Sequence, residues 1–559
     1  MSSSVENDMD VIVIGAGFAG LYALHRLRAA GFKTTLLEAG QGVGGTWYWN
    51  RYPGARCDVP SLEYSYSFSD ELQQDWAWAE RYAAQPELER YLNHVADRFD
   101  LRRDILLGHR VTTATFNSGS STWTLVCDSG EAFHPRFVVF ATGGYSTPLL
   151  PQIEGVENFA GELYHTALWP HDEVTFAGKR IGVIGTGSSG MQAITEIAKL
   201  GPEQLYVFQR TPNYSVPANN HRLDDAYQNE FKRTYAEHRA ASRASSFGVA
   251  YPVGSGRTTE LTQAEFDDRV QKALDFGGPA LLTAFPDFLI DEQANHRVAE
   301  YLRGQVRARV NDPVTAEKLC AKTHYLGARR LLVEQGYLEA YNRPNVTLID
   351  ISEEPIRRIT ADSVVVGDTA YQLDMLVLAT GFDSGSGTML GINPVGTDGD
   401  LKRHWADGPS TYLGMSVAAF PNMFMLYAPG SPGIRAQGAL MGEIQSEWIT
   451  ELLAFAREHR WSRIDTSADA ARAWTAHVAE VADSSLVTKN DTTYVGSNVP
   501  GKPRVYAAYL GGVAFYTRFT NSLAEAGYPG LRFSSEDGSA FDAGAFQAPS
   551  LSDIRVSAI

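Results

Sequence analysis

Two glycine-rich turns, each directly after a run of β-branched residues, constrain this chain more than any other feature. The first follows DVIVI and contains Gly15, Gly17 and Gly20; the second follows KRIGVI and contains Gly185, Gly187 and Gly190. In a G-x-G-x-x-G turn, the first glycine allows a tight turn and the second lets the backbone approach a pyrophosphate. The third lets strand and helix pack closely. Two copies about 170 residues apart predict two dinucleotide-binding domains.

The rest of the chain fits this division. A length of 559 residues exceeds what one hydrophobic core supports. FVVFATGGYS (137–146) and LDMLVLATGFDSG (373–385) are further short apolar runs that end in glycine and predict buried parallel strands. Residues 221–310 are rich in Arg, Ala, Glu and Tyr at helical spacing, around a loop-like stretch, GVAYPVGSGRTTELT. The predicted fold is α/β, with two Rossmann-like domains and a helical insertion in the second.

Composition excludes several classes of function. The net charge of −17 argues against binding to nucleic acid or to an anionic membrane, because both need a basic face. The apolar run VIVIGAGFAGLYAL is too short to span a membrane, and the preceding MSSSVENDMD lacks a positive signal region. Cys57, Cys127 and Cys320 form no closely spaced pair, which disfavours disulfides and a dithiol redox centre. We therefore expect a cytoplasmic protein.

The residue that closes each turn differs between the two domains. Glu38 ends the strand after the first turn, 23 residues beyond Gly15. A carboxylate there accepts hydrogen bonds from ribose hydroxyls and repels a 2′-phosphate, which predicts FAD or NAD. After the second turn, Arg210 and Thr211 occupy this neighbourhood, and a guanidinium suits the 2′-phosphate of NADPH. The alternative for Arg210 is a solvated surface charge. Together the two sites predict FAD with NADPH as reductant.

Two longer motifs identify a family. FAGELYHTALWP (159–170) fits F-x-G-x-x-x-H-x-x-x-W-P, and GGTWYWNRYPGARCD covers residues 44–58. Together they resemble the signatures of Baeyer–Villiger monooxygenases, most closely the steroid, phenylacetone and cyclohexanone monooxygenase group. Related flavin enzymes that oxidise nitrogen or sulfur usually end the first motif in Phe or Tyr, where this chain has Trp169. For His165 and Trp169 we expect a hinge between the two nucleotide domains; a simple packed linker is the alternative.

The resemblance assigns site residues. It implies catalysis by Arg330, oriented by Asp58, and we expect the charges of Arg51, Arg56 and Asp58 to find partners within residues 324–346. Arg329 replaces the family's usual lysine near the 2′-phosphate, and Thr493 replaces a tryptophan that contacts the NADP ribose. The remaining cofactor-binding residues that it implies, beside the glycines and Glu38, are Gly45, Thr46, Trp47, Arg56, Asp58, Tyr64, Val111, Thr186, Ser188, Ser189 and Gln192. Arg435 falls in a loop that resembles the family's substrate-pocket lining. We expect it to point to solvent or to pair within the loop; contact with a polar or acidic substrate is the alternative.

By this resemblance the protein uses NADPH and O2 to insert one oxygen atom next to a ketone carbonyl, through a flavin C4a-peroxide. The product is an ester or a lactone, and we expect bulky or cyclic ketones. Two alternatives stay open: oxygenation of sulfur or nitrogen, and a redox sensor that binds nucleotides without turnover. No metal site is predicted, and the sequence leaves monomer and homodimer open.

The implied organisation has five segments. These are residues 1–150 and 385–559 for the FAD domain, 151–220 and 329–384 for the NADP domain, and 221–328 for the helical insertion.

Overall fold

A five-stranded parallel sheet forms around the first glycine turn in the computed structural model, which describes residues 9–554. The elements up to residue 140 are β1 (Val11–Ile14), α1 (Phe18–Ala29), β2 (Thr34–Glu38), α2 (Thr46–Trp49), α3 (Asp70–Asp75), α4 (Gln85–Arg98), β3 (Ile105–Leu107), β4 (Val111–Asn117), β5 (Thr122–Cys127), β6 (Ala132–Phe133) and β7 (Phe137–Phe140). Every residue of β1 and β7 is buried, as the apolar runs predicted.

The second glycine turn begins another domain, and a helical region interrupts it. Its first elements are β8 (Glu162–His165), β9 (Arg180–Ile184), α5 (Ser188–Ile197), β10 (Gln204–Gln209) and β11 (Ser215–Pro217). The insertion contains α6 (Asp225–Arg233), α7 (Tyr235–Arg243), α8 (Gln263–Phe276), α9 (Leu281–Ala284), α10 (Glu292–Arg309) and α11 (Pro313–Leu319). Side-chain caps fix its longest helices: Thr262 and Glu265 form a capping box on α8, and Asp291 caps α10.

The chain then completes both domains. The second domain ends with β12 (Leu332–Glu334), α12 (Tyr337–Ala340), β13 (Val346–Asp350), β14 (Ile356–Ile359), β15 (Ser363–Val366), β16 (Thr369–Gln372) and β17 (Met375–Leu378). The return to the first domain supplies α13 (Gly387–Ile392), α14 (Leu401–His404), β18 (Met423–Met425), α15 (Gly438–Glu458), β19 (Arg463–Thr466), α16 (Ala468–Asp483), α17 (Val513–Glu525), β20 (Leu531–Ser534) and β21 (Ala540–Asp542).

The two large sheets have equivalent strand orders. The first is β18-β7-β1-β2-β3 and the second is β13-β10-β9-β17-β8, with every neighbouring pair parallel. Each glycine turn therefore follows the central strand of its sheet, which confirms the predicted α/β fold with two Rossmann-like domains. The smaller sheets are β4-β5-β6, β14-β15-β16, β19-β20-β21 and the pair β11-β12.

Packing of α15 against α1 joins the distant parts of the first domain. A Cβ atom placed on Gly442 of α15 would lie 2.9 Å from the Cα of Ala19 in α1, so the two helices approach closely there. The three cysteines are buried free thiols. Within residues 9–554, no helix has both the length and the apolar character needed to cross a membrane.

The exact boundaries of the five predicted segments stay predictions. The first and last of them extend into residues 1–8 and 555–559, which lie outside the described residues, as does most of the amino-terminal stretch considered as a signal.

Candidate active site

The first glycine turn is built for close backbone approach. Gly15 has φ of +107°, and a Cβ atom there would lie 2.7 Å from the carbonyl oxygen of Ala141 at the end of β7. A Cβ atom on Gly20 would lie 1.8 Å from the carbonyl oxygen of Gly15. Gly17 in turn faces Gly45, whose Cα is 3.5 Å from where a Gly17 Cβ would stand. Gly15 and Gly20 have no room for a Cβ atom, and α1 begins directly behind the turn.

Glu38 lies at the end of β2 beside this turn. One carboxylate oxygen accepts the backbone N–H of Ala16 at 2.7 Å, and the other accepts that of Gly40, also at 2.7 Å. The side chain is only 4% exposed. Each oxygen keeps acceptor capacity for a further donor, so the buried carboxylate suits two ribose hydroxyls and disfavours a phosphate.

The second turn repeats the geometry but is more open. Gly185 has φ of +105°, and a Cβ atom there would lie 2.4 Å from the carbonyl oxygen of Ala379 after β17. Gly187 is exposed, and no described atom comes within 4 Å of a Cβ built on it. Thr186 is buried and donates to the carbonyl of Thr211, while Ser188 and Ser189 begin α5. A ligand can therefore reach this turn from solvent.

Two guanidinium groups lie close together beside the second turn. Arg210 directly follows β10 and is exposed. Burial and the neighbouring Arg210 lower the pKa of Arg329. Arg329 donates to the carbonyl of Asp491, yet its buried Nε has no hydrogen-bond partner within the described part of the chain. Two like charges with a spare donor are the surroundings that a bound phosphate would stabilise.

A bidentate ion pair joins residues from distant parts of the chain. Arg330 donates from Nε to one Asp58 oxygen at 2.6 Å and from Nη2 to the other at 2.7 Å. The Asn213 side chain donates to the Arg330 carbonyl at 3.0 Å and so fixes the loop before β12. Burial alone would lower the pKa of Arg330, but the Asp58 carboxylate keeps it well above its usual value. This site holds a permanent, oriented cation.

The pair lies at the wall of a cavity of about 580 Å³, part of which is open to solvent. Its charged lining comes from Asp58, Arg329, Arg330 and Arg435, and Gln437 adds a neutral amide. Its apolar and aromatic lining includes Val59, Phe247, Val249, Tyr251, Pro279, Leu282, Leu331 and Tyr494. A second cavity of about 690 Å³ shares Tyr494 as a wall and is also lined by Thr493.

The chain is similar to known flavin enzymes over most of its length. The model of the pyridine nucleotide-disulphide oxidoreductase family matches residues 9–239. An acetone monooxygenase (methyl acetate-forming) from Gordonia sp. (strain TY-5) is 38% identical, over 94% of this chain and 99% of the relative. A Baeyer–Villiger monooxygenase from Pseudooceanicola batsensis is 36% identical, over 95% and 97%.

The chain belongs to the Baeyer–Villiger monooxygenase family.

Two further matches extend this result. The solved structure of an oxidised steroid monooxygenase bound to NADP superposes with a TM-score of 0.90 at 44% identity, over 94% of this chain and 99% of that one. A phenazine N-monooxygenase from Lysobacter antibioticus is 38% identical, over 96% of this chain and 99% of the relative. The protein is thus an FAD- and NADP-dependent monooxygenase, whereas the atom that it oxygenates needs a separate argument.

In this Baeyer–Villiger monooxygenase, the aromatic motif 44–58 lies between the two nucleotide domains. Thr46 begins α2, and the Trp47 indole N–H donates to the Tyr64 hydroxyl at 3.3 Å. The Gln192 side chain, on α5, bonds both the N–H and the carbonyl of Arg56 and accepts the Tyr52 hydroxyl at 2.8 Å. Gln192 therefore ties the motif to the second domain.

The expected partners of two charges in this motif were wrong. We expected Arg51 and Arg56 to pair within residues 324–346, but only Asp58 does so. Arg51 pairs with Glu89 on α4, and Arg56 pairs with Glu80 just before it. The first domain neutralises these arginines itself, because α4 packs beside α2 and brings acids to the motif. Val111, the remaining predicted contact, is buried at the start of β4.

The linker motif joins elements of both domains. His165 ends β8, and its Nε2 lies 3.2 Å from the Thr380 hydroxyl, which donates to the carbonyl of Leu149. Burial lowers the pKa of His165, so the ring is neutral at pH 7. Trp169 packs in a hydrophobic cluster that also contains Tyr52. These contacts meet the structural requirement for a hinge, and the hinge role itself stays a prediction.

Sequence reasoning missed several walls of the substrate-sized cavity. Phe247, Val249 and Tyr251 belong to or precede the stretch taken as a plain loop, yet they line the space beside Arg330. Tyr494, next to Thr493, separates the two cavities. The available signal was the alternation of apolar and aromatic residues within a Gly-rich loop, because such residues are usually buried and not exposed to solvent.

Proposed function

We propose that this enzyme inserts one oxygen atom between the carbonyl carbon and a neighbouring carbon of a bulky or cyclic ketone. Ketone, O2, NADPH and a proton give ester or lactone, water and NADP⁺. The observation that carries this proposal is the Asp58–Arg330 pair at the wall of an otherwise largely apolar cavity. The apolar walls of this cavity bind hydrocarbon, while one fixed cation faces the reacting oxygen atoms.

Arg330 has the task of stabilising negative charge that develops on oxygen during the reaction. Its side chain is 38% exposed and lines the cavity, so it can reach a ligand while still held by Asp58. Asp58 positions it through both oxygens and compensates its charge in the resting site. A preorganised cation needs no reorganisation as charge develops.

The cofactor sites follow the two glycine turns. When bound, FAD reduced by NADPH activates O2 for transfer to the substrate. We assign to FAD the residues Gly15, Gly17, Gly20, Glu38, Gly45, Thr46, Trp47, Arg56, Asp58, Tyr64 and Val111. We assign to NADP the residues Thr186, Gly187, Ser188, Ser189, Gly190, Gln192, Arg210, Thr211, Arg329 and Thr493. The cradle at Gly17 and the open approach to Gly187 support these assignments.

Replacement of Arg330 tests the proposal. Arg330→Ala should lower ester formation roughly 10²–10³-fold, the cost of losing one oxyanion-stabilising group. Reduction of the bound flavin by NADPH should persist, as measured by stopped-flow absorbance in the absence of O2. Arg330→Lys serves as the matched variant, because it keeps the charge but loses the bidentate geometry, and should recover only part of the rate. Normal ester formation by Arg330→Ala would contradict the role.

A second candidate reaction is oxygenation of nitrogen, because one relative of equal identity is named for it. A panel of ketones, sulfides and aromatic N-heterocycles, scored by product mass and structure, separates the two. We expect ketones to give esters with the highest kcat/KM. N-oxides formed faster than any ester would favour the second candidate.

A further inference from the structure

More positive than negative charges line the cavity beside Arg330. Three arginines and one carboxylate line it. Asp58 uses both of its oxygens to bind Arg330, and Arg329 lies beside Arg210 on the side assigned to NADP. No carboxylate of residues 9–554 lies within ion-pair distance of the remaining cation, Arg435.

The contacts of Arg435 leave one donor group unused. Its Nη1 donates to the carbonyl of Gly327 at 2.9 Å, and its guanidinium carbon lies 5.5 Å from the centre of the Tyr494 ring. Its Nη2 is buried and has no hydrogen-bond partner in the described chain. Buried donors are nearly always paired, and an unpaired charged one is costly. These contacts hold Arg435 at the cavity wall, with Nη2 as its unused donor.

Tyr251, another residue that lines this cavity, has a second unused donor. The hydroxyl of Tyr251 is buried and also lacks a partner in the described residues. Burial raises the pKa of this phenol well above its usual value, so the hydroxyl keeps its proton and can donate. The neighbouring walls, among them Phe247, Pro279 and Leu282, offer only apolar contact. The cavity therefore fits a molecule with a hydrocarbon body and acceptor groups.

Building on the proposed function, we infer that the preferred ketone carries a carboxylate, which Arg435 binds through Nη2 while the ketone carbonyl faces Arg330. Tyr251 donates to a further acceptor of the same molecule. A phosphate fits less well, because its three oxygens need more donors than one guanidinium nitrogen supplies. The ion pair forms inside a largely apolar cavity, where solvent screening is weak.

Comparison of two ketones tests the inference on the FAD-loaded enzyme. The probes are 4-oxocyclohexanecarboxylate and its methyl ester, with kcat/KM taken from lactone formation by mass spectrometry at saturating NADPH. A charge-assisted hydrogen bond predicts a preference for the acid of about 10-fold or more. Equal kcat/KM values, or preference for the methyl ester, would overturn the inference.

Variants of Arg435 separate ligand binding from a purely structural contact with Gly327. Arg435→Met should lower kcat/KM for the acid about 10–100-fold more than for the methyl ester, and Arg435→Lys should restore part of the difference. The control is Arg472→Met, which alters an exposed arginine paired with Asp469 and should change neither value. A fall of the same size for both ketones, or a matching rise in KM for NADPH, would assign Arg435 to the loop or the cofactor instead.

The outcomes of these experiments distinguish failure of the carboxylate site from failure of the proposed ketone oxygenation. Lactone formed from the methyl ester without any preference for the acid leaves the proposed function intact and rejects the carboxylate site. NADPH oxidation without an oxygenated product from either ketone contradicts both.

Discussion

The two nucleotide domains share one backbone plan and differ at the residues that select the cofactor. In both, the glycine turn follows the central strand, and its first glycine packs against the carbonyl of an alanine, Ala141 or Ala379. The strand register places Gln209 where the first domain has Glu38. Gln209 points inward and donates to the carbonyl of Lys318, which leaves the ligand side to Arg210. The sheet determines where a dinucleotide lies. The residues at the end of one strand, β2 or β10, determine which dinucleotide binds.

The turns also differ in how closed they are. Gly17 faces Gly45 of the aromatic motif at close range, whereas Gly187 is exposed with no described atom near it. A covered pyrophosphate site suits a cofactor that stays bound between turnovers, and an open one suits a cofactor that must exchange.

The largest contrast is expected from the first glycine of each turn. Gly15→Ala and Gly185→Ala both force a Cβ atom into a carbonyl oxygen at positive φ. Gly15→Ala should purify almost without flavin. Gly185→Ala should keep its yellow colour while NADPH-dependent turnover falls at least about 100-fold, a loss of roughly 3 kcal/mol. Absorbance at 450 nm per protein and NADPH consumption measure the two effects, and a colourless Gly185→Ala would break the comparison.

Removal of the acid should affect only the first site. Glu38→Ala leaves the buried N–H groups of Ala16 and Gly40 without an acceptor, at a cost of about 1–3 kcal/mol each, and removes the ribose partner. The Kd for FAD, measured by flavin fluorescence on reconstitution, should rise at least about 30-fold. Gln209→Ala is the matched control in the other domain and should leave flavin binding unchanged. Equal flavin loss in both variants would show that fold stability, not recognition, was measured.

Low pH should destabilise both regions of the protein, because each contains a buried histidine. Burial lowers the pKa of His324, beside the second site, and of His477, on α16 of the first domain, to about 4. Since the unfolded chain takes up these protons near pH 6.5, this contribution to stability is present above pH 6.5 and is lost as pH falls towards 4. The expected loss is roughly 1–3 kcal/mol per histidine. The free energy of unfolding, measured with urea at pH 7 and pH 4.5, should differ less between the two pH values for His324→Asn and His477→Asn than for the unsubstituted protein. An unchanged difference would assign the acid destabilisation to other groups.

The smallest effect is expected at the 2′-phosphate. Because Arg210 is exposed, solvent screens its contribution, and Arg210→Ala should raise KM for NADPH about 10-fold while KM for NADH changes less than about twofold. Steady-state kinetics with both nucleotides measure this. Parallel changes in both KM values would remove the phosphate assignment and leave Arg210 as a surface charge.

Local sequence patterns carried the backbone predictions well. A glycine turn needs its glycines at fixed offsets whatever surrounds it, so β1, β9 and the helices behind them could be located from a few residues. The contact between Asp58 and Arg330, expected only from the family resemblance, has no local signal, because 272 residues separate the two.

Tertiary packing decided what the sequence could not. The partners of Arg51 and Arg56 depend on how α4 packs beside α2. The cavity walls at Phe247 and Tyr251 depend on where an irregular loop folds back, and the direction of Arg435 depends on the carbonyl of Gly327. Local sequence periodicity does not encode such long-range contacts, because each depends on the packing of the whole domain.

The separation of Asp58 from Arg330 also has a consequence for synthesis. At about 5–20 residues per second, a ribosome takes roughly 15–55 s to add the 272 residues between them. For that time the nascent first domain lacks Arg330, the partner of Asp58 in the folded protein. Maturation of the reaction centre is therefore a late event, timed by translation of the helical insertion that precedes Arg330.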